Sequence, residues 1–319
     1  MAMAFVFPGQ GSQAPGMGRD LAAAFPAARE VFQEVDEALK QHLSRLMFEG
    51  PAEELTLTAN AQPALMAHSL AVLRVLQGEG GFELPARVAL VAGHSLGEYS
   101  ALTAAGAFDL PTAARLLRLR GEAMQRATPA GTGAMAALLG ADLAQAQAIC
   151  DAAKADPETG AEEVVEIAND NGGGQVVISG ARPAVERAIA AAPGLGVKRA
   201  LPLPVSAPFH CALMAPAADA MAQALAEARI TAPLVPLIAN VTAAKATDPA
   251  EIRRLLVEQV TATVRWRDCV ATMAAMGCDR FVELGAGRVL TGLMKRNAPD
   301  ATASAIGSPA EVEAFLKTL

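Results

Sequence analysis

The sequence predicts an α/β protein in which a small α+β domain is inserted into a larger domain built on a parallel sheet. Two short apolar runs, residues 4–7 and 87–92, each end at a glycine-containing turn that leads into a helical pattern. Strand, tight turn and helix in this order are typical of parallel α/β layers. From about residue 133 to residue 201 the pattern changes to six shorter elements, which indicates the second domain.

The composition excludes several classes of protein. The chain has 319 residues, of which 52% are hydrophobic and 18% charged, and its net charge is −7. A large core can therefore be buried, and the acidic balance disfavours a nucleic-acid partner. No apolar run approaches the ~18–20 residues of a membrane span, and residues 1–10 lack the basic start of a signal peptide. Four scattered cysteines predict a reduced, cytoplasmic protein with neither a disulfide framework nor a zinc site.

The large domain is predicted to begin with the buried strand at residues 4–7. Helical patterns follow to about residue 80, with breaks expected at Pro51 and Pro63. The strand at residues 87–92 then precedes an alanine-rich helix. Beyond the insertion, two further strands and one helix are predicted, at residues 234–240, 280–284 and 290–296.

The small domain is predicted from the order β-α-β-β-α-β, which is the ferredoxin-like pattern. Its strands are expected at residues 134–139, 163–169, 175–179 and 197–201, and its helices at residues 143–154 and 183–192. Glycine and proline punctuation at both ends marks the boundaries. The predicted division is therefore residues 132–201 for the small domain, and residues 1–131 with 202–319 for the large one.

Residues 93–97 (GHSLG) match the G-x-S-x-G pattern, with a predicted strand before and a helix after. Glycines permit a strained strand-to-helix turn, which presents the serine hydroxyl over the end of the sheet. Ser95 is therefore the candidate nucleophile, rather than an ordinary turn serine. The amide of Leu96 is a candidate oxyanion donor.

A serine nucleophile needs a base, and the chain has four histidines. His42 and His68 fall in helical segments, where a surface or core role suffices. His94 adjoins the serine, and neighbours on such a turn generally point apart. His210, in a proline-rich loop before a helix, is the preferred candidate. Cys211 lacks a comparable turn and is more simply a small buried residue.

Arg120 stands out on a helical wheel of residues 112–128. It falls on the apolar side with Leu117 and Met124, roughly opposite the other arginines of this helix. A buried guanidinium is costly unless it is paired. Two partners remain open: a carboxylate in the core, or the carboxylate of a substrate held by the arginine fork.

Three further loops carry weaker signals. Residues 9–13 (GQGSQ) follow a strand but lack the lysine of a P-loop and the third glycine of a dinucleotide fingerprint, which disfavours a phosphate site. A backbone amide of this loop is a candidate for the second oxyanion donor. Residues 283–287 (ELGAG) are expected to form a structural turn. Residues 169–174 (NDNGGG) are either a cleft-facing loop, with Asn169 and Asn171, or a solvated turn.

Together these motifs carry a resemblance that spans nearly the whole chain. The sequence resembles the malonyl-CoA:acyl-carrier-protein transacylases and, more broadly, the acyltransferase domains of fatty-acid and polyketide synthases. The markers are FPGQGSQ at residues 7–13, AQPAL at 61–65, GHSLGEY at 93–99, RG at 120–121, GTGAM at 131–135, GQVVI at 174–178, SAPFHCALM at 206–214, NV at 240–241 and residues 283–295. The resemblance implies an α/β-hydrolase-like large domain and a ferredoxin-like small one.

The resemblance also implies roles for residues at matching positions. Ser95 would form the acyl-enzyme with His210 as its base, and the backbone carbonyl of Gln259 would orient the histidine in place of an acidic side chain. Arg120 would bind the malonyl carboxylate.

The oxyanion hole would be formed by the amides of Gln10 and Leu96. The loop with Phe209 is similar to that of malonyl-selective members, whereas the Gly-Gly-Gly at residues 172–174 departs mildly from the family pattern.

The resemblance implies malonyl-CoA as the substrate and an acyl carrier protein, which brings its own phosphopantetheine, as the partner. It implies no metal or other cofactor, and no nucleic-acid or membrane partner. The alternatives are a standalone acyltransferase that serves a polyketide synthase and a serine acyl hydrolase. Docking of an acidic carrier would need a basic patch, for which the candidates are Lys198, Arg199, Arg265, Arg267, Lys295 and Arg296.

Overall fold

The strands of the protein form two separate sheets. A computed structural model describes residues 2–318. Within this range the strands are β1 (Ala2–Phe7), β2 (Leu90–Gly93), β3 (Gly133–Leu139), β4 (Val165–Asp170), β5 (Gln175–Ala181), β6 (Arg199–Pro202), β7 (Leu237–Ile238), β8 (Lys245–Ala246), β9 (Cys278–Leu284) and β10 (Thr302–Ile306).

Helices supply most of the remaining regular structure. They are α1 (Arg19–Ala24), α2 (Pro26–Leu39), α3 (Leu43–Glu49), α4 (Ala52–Thr56), α5 (Thr58–Gly80), α6 (Leu84–Arg87), α7 (Gly97–Ala104), α8 (Leu110–Arg126), α9 (Leu143–Ala153), α10 (Arg182–Ala191), α11 (Ala215–Glu227), α12 (Pro249–Glu258), α13 (Trp266–Ala275), α14 (Val289–Asn297) and α15 (Pro309–Leu316). None of the helices in residues 2–318 is both long and apolar enough to cross a membrane.

The larger sheet has six strands in the order β10-β9-β1-β2-β7-β8. Its pairs are parallel, except that β8 runs antiparallel to β7 at one edge. Alternate residues of β1 face opposite layers: Phe5 and Phe7 join one core cluster, and Ala4 and Val6 join the other. Because both faces are buried, the strand reads as a continuous apolar run, as expected for a parallel sheet covered by helices.

The smaller sheet is antiparallel, with the order β4-β5-β3-β6. Helices α9 and α10 cover one face, and their apolar residues form a core cluster with that face. This order and the β-α-β-β-α-β connectivity are those of a ferredoxin-like unit. The predicted fold class, a parallel α/β layer with a ferredoxin-like insertion, is confirmed; the domain limits 132–201 and 1–131 with 202–319 stay a prediction.

Three local expectations differ from the structure. Pro63 does not break the helix but lies inside α5. Proline there leaves one early main-chain acceptor without its i+4 donor, a limited loss for a helix that is buried along most of its length. The strand expected at residues 87–92 begins only at Leu90, after the short helix α6. The strand expected at residues 234–240 is reduced to Leu237–Ile238.

Candidate active site

Ser95 lies at the carboxyl end of β2, in the sharp turn before α7. Its φ is 54°, in the left-handed region that a non-glycine residue rarely adopts. A Cβ on Gly93 would collide with the backbone of Gly97, and one on Gly97 would collide with the carbonyl oxygen of Phe7. Only glycines allow the strand and helix to approach this closely, so the two glycines of the motif enable the turn that presents Ser95.

His210 lies against the serine hydroxyl. Its Nε2 is 2.7 Å from Oγ of Ser95, and its Nδ1 is 2.9 Å from the main-chain oxygen of Gln259. Because a carbonyl oxygen can only accept, Nδ1 carries the proton and Nε2 is free to accept the proton of the serine. Burial, together with the positive charge of Arg120, lowers the pKa of His210 to about 3. The imidazole is therefore neutral, the form a general base requires.

Arg120 projects from α8 into the same site and is only 1% exposed. Its Nη1 donates to Oε1 of Gln62 at 2.9 Å, and its Nη2 donates to Oε1 of Gln259 at 2.9 Å and to Oγ of Ser95 at 3.2 Å. Within residues 2–318 no carboxylate lies within 4 Å of the guanidinium, and its Nε has no hydrogen-bond partner. The structure thus does not provide the core carboxylate partner that one sequence-based interpretation required.

The layer beneath Ser95 is a buried polar network. The main-chain N–H of Ser95 donates to Oδ1 of Asn240 at 2.8 Å, and Nδ2 of Asn240 donates to the carbonyl of Gly93 at 2.7 Å. Glu98 accepts from the amide of Asn240 and from the side chain of Gln259. These contacts hold the turn from below. Gln62, Glu98 and Asn240 lie within family motifs of the sequence, but no role was predicted for them or for the side chain of Gln259.

The residues of the two predicted oxyanion donors follow neighbouring strands and line the same cleft as Ser95. Gln10 follows β1 and Leu96 follows Ser95 after β2, and these strands pair in parallel, so both amides lie at the same edge of the sheet. Among residues 2–318 neither main-chain N–H has a hydrogen-bond acceptor. Two unpaired amides beside a nucleophile can stabilise a developing oxyanion.

The reacting groups open into a cleft of about 380 Å³ between the two sheets. Its walls include Ser95, His210, Arg120, Asn169 and Phe209. The cleft also contacts the loop that follows β6, at residues 203–205. A cavity of this size, apolar over most of its wall with a few converging polar groups, is suited to a small acyl group and the chain that carries it.

Asn169 lines the cleft, whereas Asn171 contacts the side chain of His94. Its Oδ1 is 2.8 Å from Nε2 of His94, and its carbonyl accepts from the Asn297 side chain. The His94 ring also lies against Trp266. Burial lowers the pKa of His94, so it is a neutral residue that joins the loop of β4 to the nucleophile turn.

The remaining candidates lie apart from the reacting groups. The Cys211 thiol is fully buried, and burial raises its pKa to about 11. Glu283, in the 283–287 turn, accepts from the first residues of α14, which is a structural role. The residues described contain no group of three His, Cys, Asp or Glu side chains placed to hold a metal.

Two of the six basic candidates are already paired. Arg265 contacts Asp268, and Arg267 contacts Asp170. Lys295 and Arg296, exposed at the end of α14, have no ion pair within residues 2–318, and neither do Lys198 and Arg199. Arg296 lies against the glycine loop after β4.

A parallel sheet with a serine on a strained turn, a neutral histidine against its hydroxyl and two free amides is typical of enzymes that carry acyl groups on serine. Comparisons with known proteins specify the family. A family model described as the acyl transferase domain matches residues 4–312. The malonyl CoA-acyl carrier protein transacylase of Salmonella typhimurium is 50% identical over 313 residues, covering 98% of each chain.

Solved structures agree with this family. The acyl-carrier-protein S-malonyltransferase of Bartonella henselae has a TM-score of 0.95 and 54% identity, covering 100% of this chain and 99% of that one. A malonyl-transacylase solved in complex with a type II polyketide-synthase acyl-carrier protein has a TM-score of 0.94 and 44% identity, covering 100% of both chains. The chain belongs to the acyl transferase family, and its relatives of this similarity are malonyl transacylases.

Proposed function

We propose that the protein transfers a malonyl group from malonyl-CoA to the phosphopantetheine thiol of an acyl carrier protein in fatty-acid synthesis, through a malonyl ester on Ser95. The observation that carries this proposal is the buried guanidinium of Arg120, whose Nη2 lies 3.2 Å from the Ser95 hydroxyl. Only one methylene separates the thioester carbon of a malonyl group from its free carboxylate. A carboxylate bound by Arg120 therefore places the thioester beside the nucleophile.

In the first half-reaction His210 takes the hydroxyl proton of Ser95 on Nε2 while Oγ attacks the thioester carbon. The negative charge that develops on the carbonyl oxygen is stabilised by the amides of Gln10 and Leu96. The C–S bond then breaks, and the coenzyme A sulfur leaves with the proton from His210. The products are free coenzyme A and malonyl-Ser95.

In the second half-reaction the carrier-protein thiol gives its proton to His210, and its sulfur attacks the ester. The C–O bond to Ser95 breaks, and Oγ recovers the proton. Every step uses side chains and amides of this chain, so we expect transfer to need no metal or redox cofactor. Four free and buried cysteines suit the reducing cytoplasm that we propose as its compartment.

Docking of the carrier is proposed at the exposed cations of the α14 end, Lys295 and Arg296, which have no ion pair within residues 2–318. Reversing the charge of either residue should raise the KM for carrier protein and leave the KM for malonyl-CoA unchanged. An unchanged carrier KM in both variants would exclude this patch.

The test of the function is the intact-protein mass after mixing with malonyl-CoA, with Ser95→Ala as the control. We expect a malonyl adduct on the wild type only, discharged by holo acyl carrier protein. An adduct lost rapidly to water without carrier preference would indicate a hydrolase. Equal adducts on wild type and Ser95→Ala would exclude the serine mechanism.

A further inference from the structure

Glu98 is a buried carboxylate that the proposed transfer chemistry does not use. It lies in the first turn of α7 and is 1% exposed. Its Oε2 accepts from the main-chain N–H of Asn240 at 3.2 Å and from Nε2 of Gln259 at 2.6 Å. Burying a carboxylate is costly, and an apolar side chain would fill the same space without that cost. Its presence directly beneath Ser95 therefore calls for a physical reason.

Gln259 connects Glu98 to all three reacting groups. Its side-chain Nε2 donates to the carbonyl of Ser95 at 3.0 Å as well as to Glu98, and its Oε1 accepts from Nη2 of Arg120 at 2.9 Å. Its main-chain carbonyl holds Nδ1 of His210. A rotation of this one amide would change the surroundings of the serine, the histidine and the arginine together.

A primary amide can be placed in two orientations, with its oxygen and nitrogen exchanged. A carboxylate accepts hydrogen bonds and donates none, so Glu98, at 2.6 Å the nearest of three acceptors, holds the NH₂ end of Gln259 toward itself. The other two acceptors of this Nε2 are neutral and more distant: the Ser95 carbonyl at 3.0 Å and Oδ1 of Asn240 at 3.3 Å. The amide oxygen must then face Arg120, which donates and cannot accept. In the reversed orientation two donors would face each other at Arg120, and two acceptors would face each other at Glu98.

We propose that Glu98 is a positioning residue that selects the orientation of the Gln259 amide and thereby aims Arg120 at the substrate carboxylate. The inference deepens the proposed function and rests on it. Glu98 also places a negative charge near Arg120 without contacting it, because the Gln259 side chain lies between the two. The guanidinium is thus partly compensated while its edge toward Ser95 stays available for a substrate.

The test compares Glu98→Gln with Glu283→Gln as a matched control. Glu283 is also 1% exposed and accepts main-chain N–H groups, from Leu290 and Thr291, but it touches none of the reacting groups.

An amide at position 98 can donate as well as accept, so position 98 no longer favours one orientation of Gln259. The NH₂ end of Gln259 is then held only by its neutral acceptors, the Ser95 carbonyl and Oδ1 of Asn240. Malonyl-CoA and acetyl-CoA are each supplied to all variants at a pH above the Glu98 pKa of about 7, where this residue is ionised. The rate of acyl-enzyme formation is measured by intact mass.

We expect Glu98→Gln to lower the malonyl-to-acetyl ratio of acylation rates roughly tenfold, because acylation by malonyl-CoA slows more than acylation by acetyl-CoA. Glu283→Gln should leave the ratio at the wild-type value, even if its Tm falls. An unchanged ratio in a folded Glu98→Gln protein would overturn the proposal, and so would an equal fall of both rates, which indicates general destabilisation.

Gln259→Ala keeps the proposal testable if Glu98→Gln does not fold. It removes the amide and leaves the main-chain carbonyl that holds His210. The malonyl-to-acetyl ratio should fall in this variant, and adding Glu98→Gln to it should cause no further fall in the ratio. A wild-type ratio in Gln259→Ala overturns the proposal. Failure of the wild type itself to form malonyl-Ser95 would instead refute the proposed function.

Discussion

At the scale of single residues, His210 is held in its neutral form by its surroundings. Burial first, and then the charge of Arg120, lower its pKa to about 3. The imidazole is therefore already deprotonated at every pH at which activity would be measured. The plot of kcat/KM against pH should show no fall on the acid side at the usual histidine pKa of ~6.5. The measurement is the rate of acyl-enzyme formation with malonyl-CoA from about pH 5 to about pH 8.

Glu98 provides the control for that profile. Burial raises its pKa to about 7 against the opposing hydrogen bonds from Asn240 and Gln259. Its negative charge is lost as the pH falls through this value, so an acid limb near pH 7 would belong to Glu98 and should disappear in Glu98→Gln. A limb at ~6.5 that persists in Glu98→Gln would contradict a neutral His210.

Arg120→Ala should shift the acyl preference from malonyl toward acetyl. The variant would lose the proposed charge-assisted hydrogen bonds to the substrate carboxylate, so malonyl transfer should fall by roughly 10- to 100-fold. The rate of acetyl transfer should rise relative to that of malonyl transfer, because an acetyl group has no carboxylate that would be left without a partner. The measurement is kcat/KM for both thioesters. Arg115→Ala, on the exposed side of the same helix, should keep the wild-type preference.

The sequence predicted the positions of the main groups because each has a local signature. Ser95 lies in a tight motif, and Arg120 is a charge on an apolar helix face. Glu98 and the side chain of Gln259 had no such signature. They are separated by 161 positions along the chain, and only the tertiary fold shows that one donates to the other. Gln62 was missed for the same reason, since its contact with Arg120 joins two different helices.

At the scale of secondary-structure elements, the junction of β2 and α7 depends on two glycines. Gly97→Ala should destabilise the protein by roughly 1–3 kcal/mol or more, because its Cβ meets the Phe7 carbonyl oxygen, which belongs to a central strand. Urea unfolding gives the free energy. Gly292→Ala, in α14 with open space around its Cβ, should instead stabilise by about 0.5–1 kcal/mol. Equal effects of the two substitutions would contradict this account of the turn.

Helices and strands with a regular alternation of apolar and polar residues, or with a long apolar run, were predicted well. Strands at the edges of the larger sheet were not. All six elements of the small domain were expected close to their observed limits. Strand β7 pairs over only two residues on each side, which is too short for a periodic signal. β10, at the opposite edge, has a half-exposed sequence of small residues and was not expected. Helices α12, α13 and α15 were also not expected.

At the scale of the whole molecule, the fold buries every cysteine. The four thiols are between 0% and 3% exposed, and burial raises the pKa of Cys150 to about 12. Since the thiolate is the reactive form, native protein treated with iodoacetamide should gain no mass, and four labels should appear after unfolding in urea. A label on native Cys211 would reopen the question of a cysteine nucleophile beside His210.

The contact between His210 and the main-chain oxygen of Gln259 has a consequence for genetic dissection of this enzyme. A carbonyl oxygen survives every side-chain substitution, so an alanine scan or a library of natural amino acids leaves this acceptor in place. Chemical synthesis can weaken it: replacing Val260 by its α-hydroxy acid turns the preceding amide carbonyl into an ester carbonyl, a poorer acceptor. The acceptor at Nδ1 of the imidazole is thus supplied by the path of the backbone rather than by a side chain.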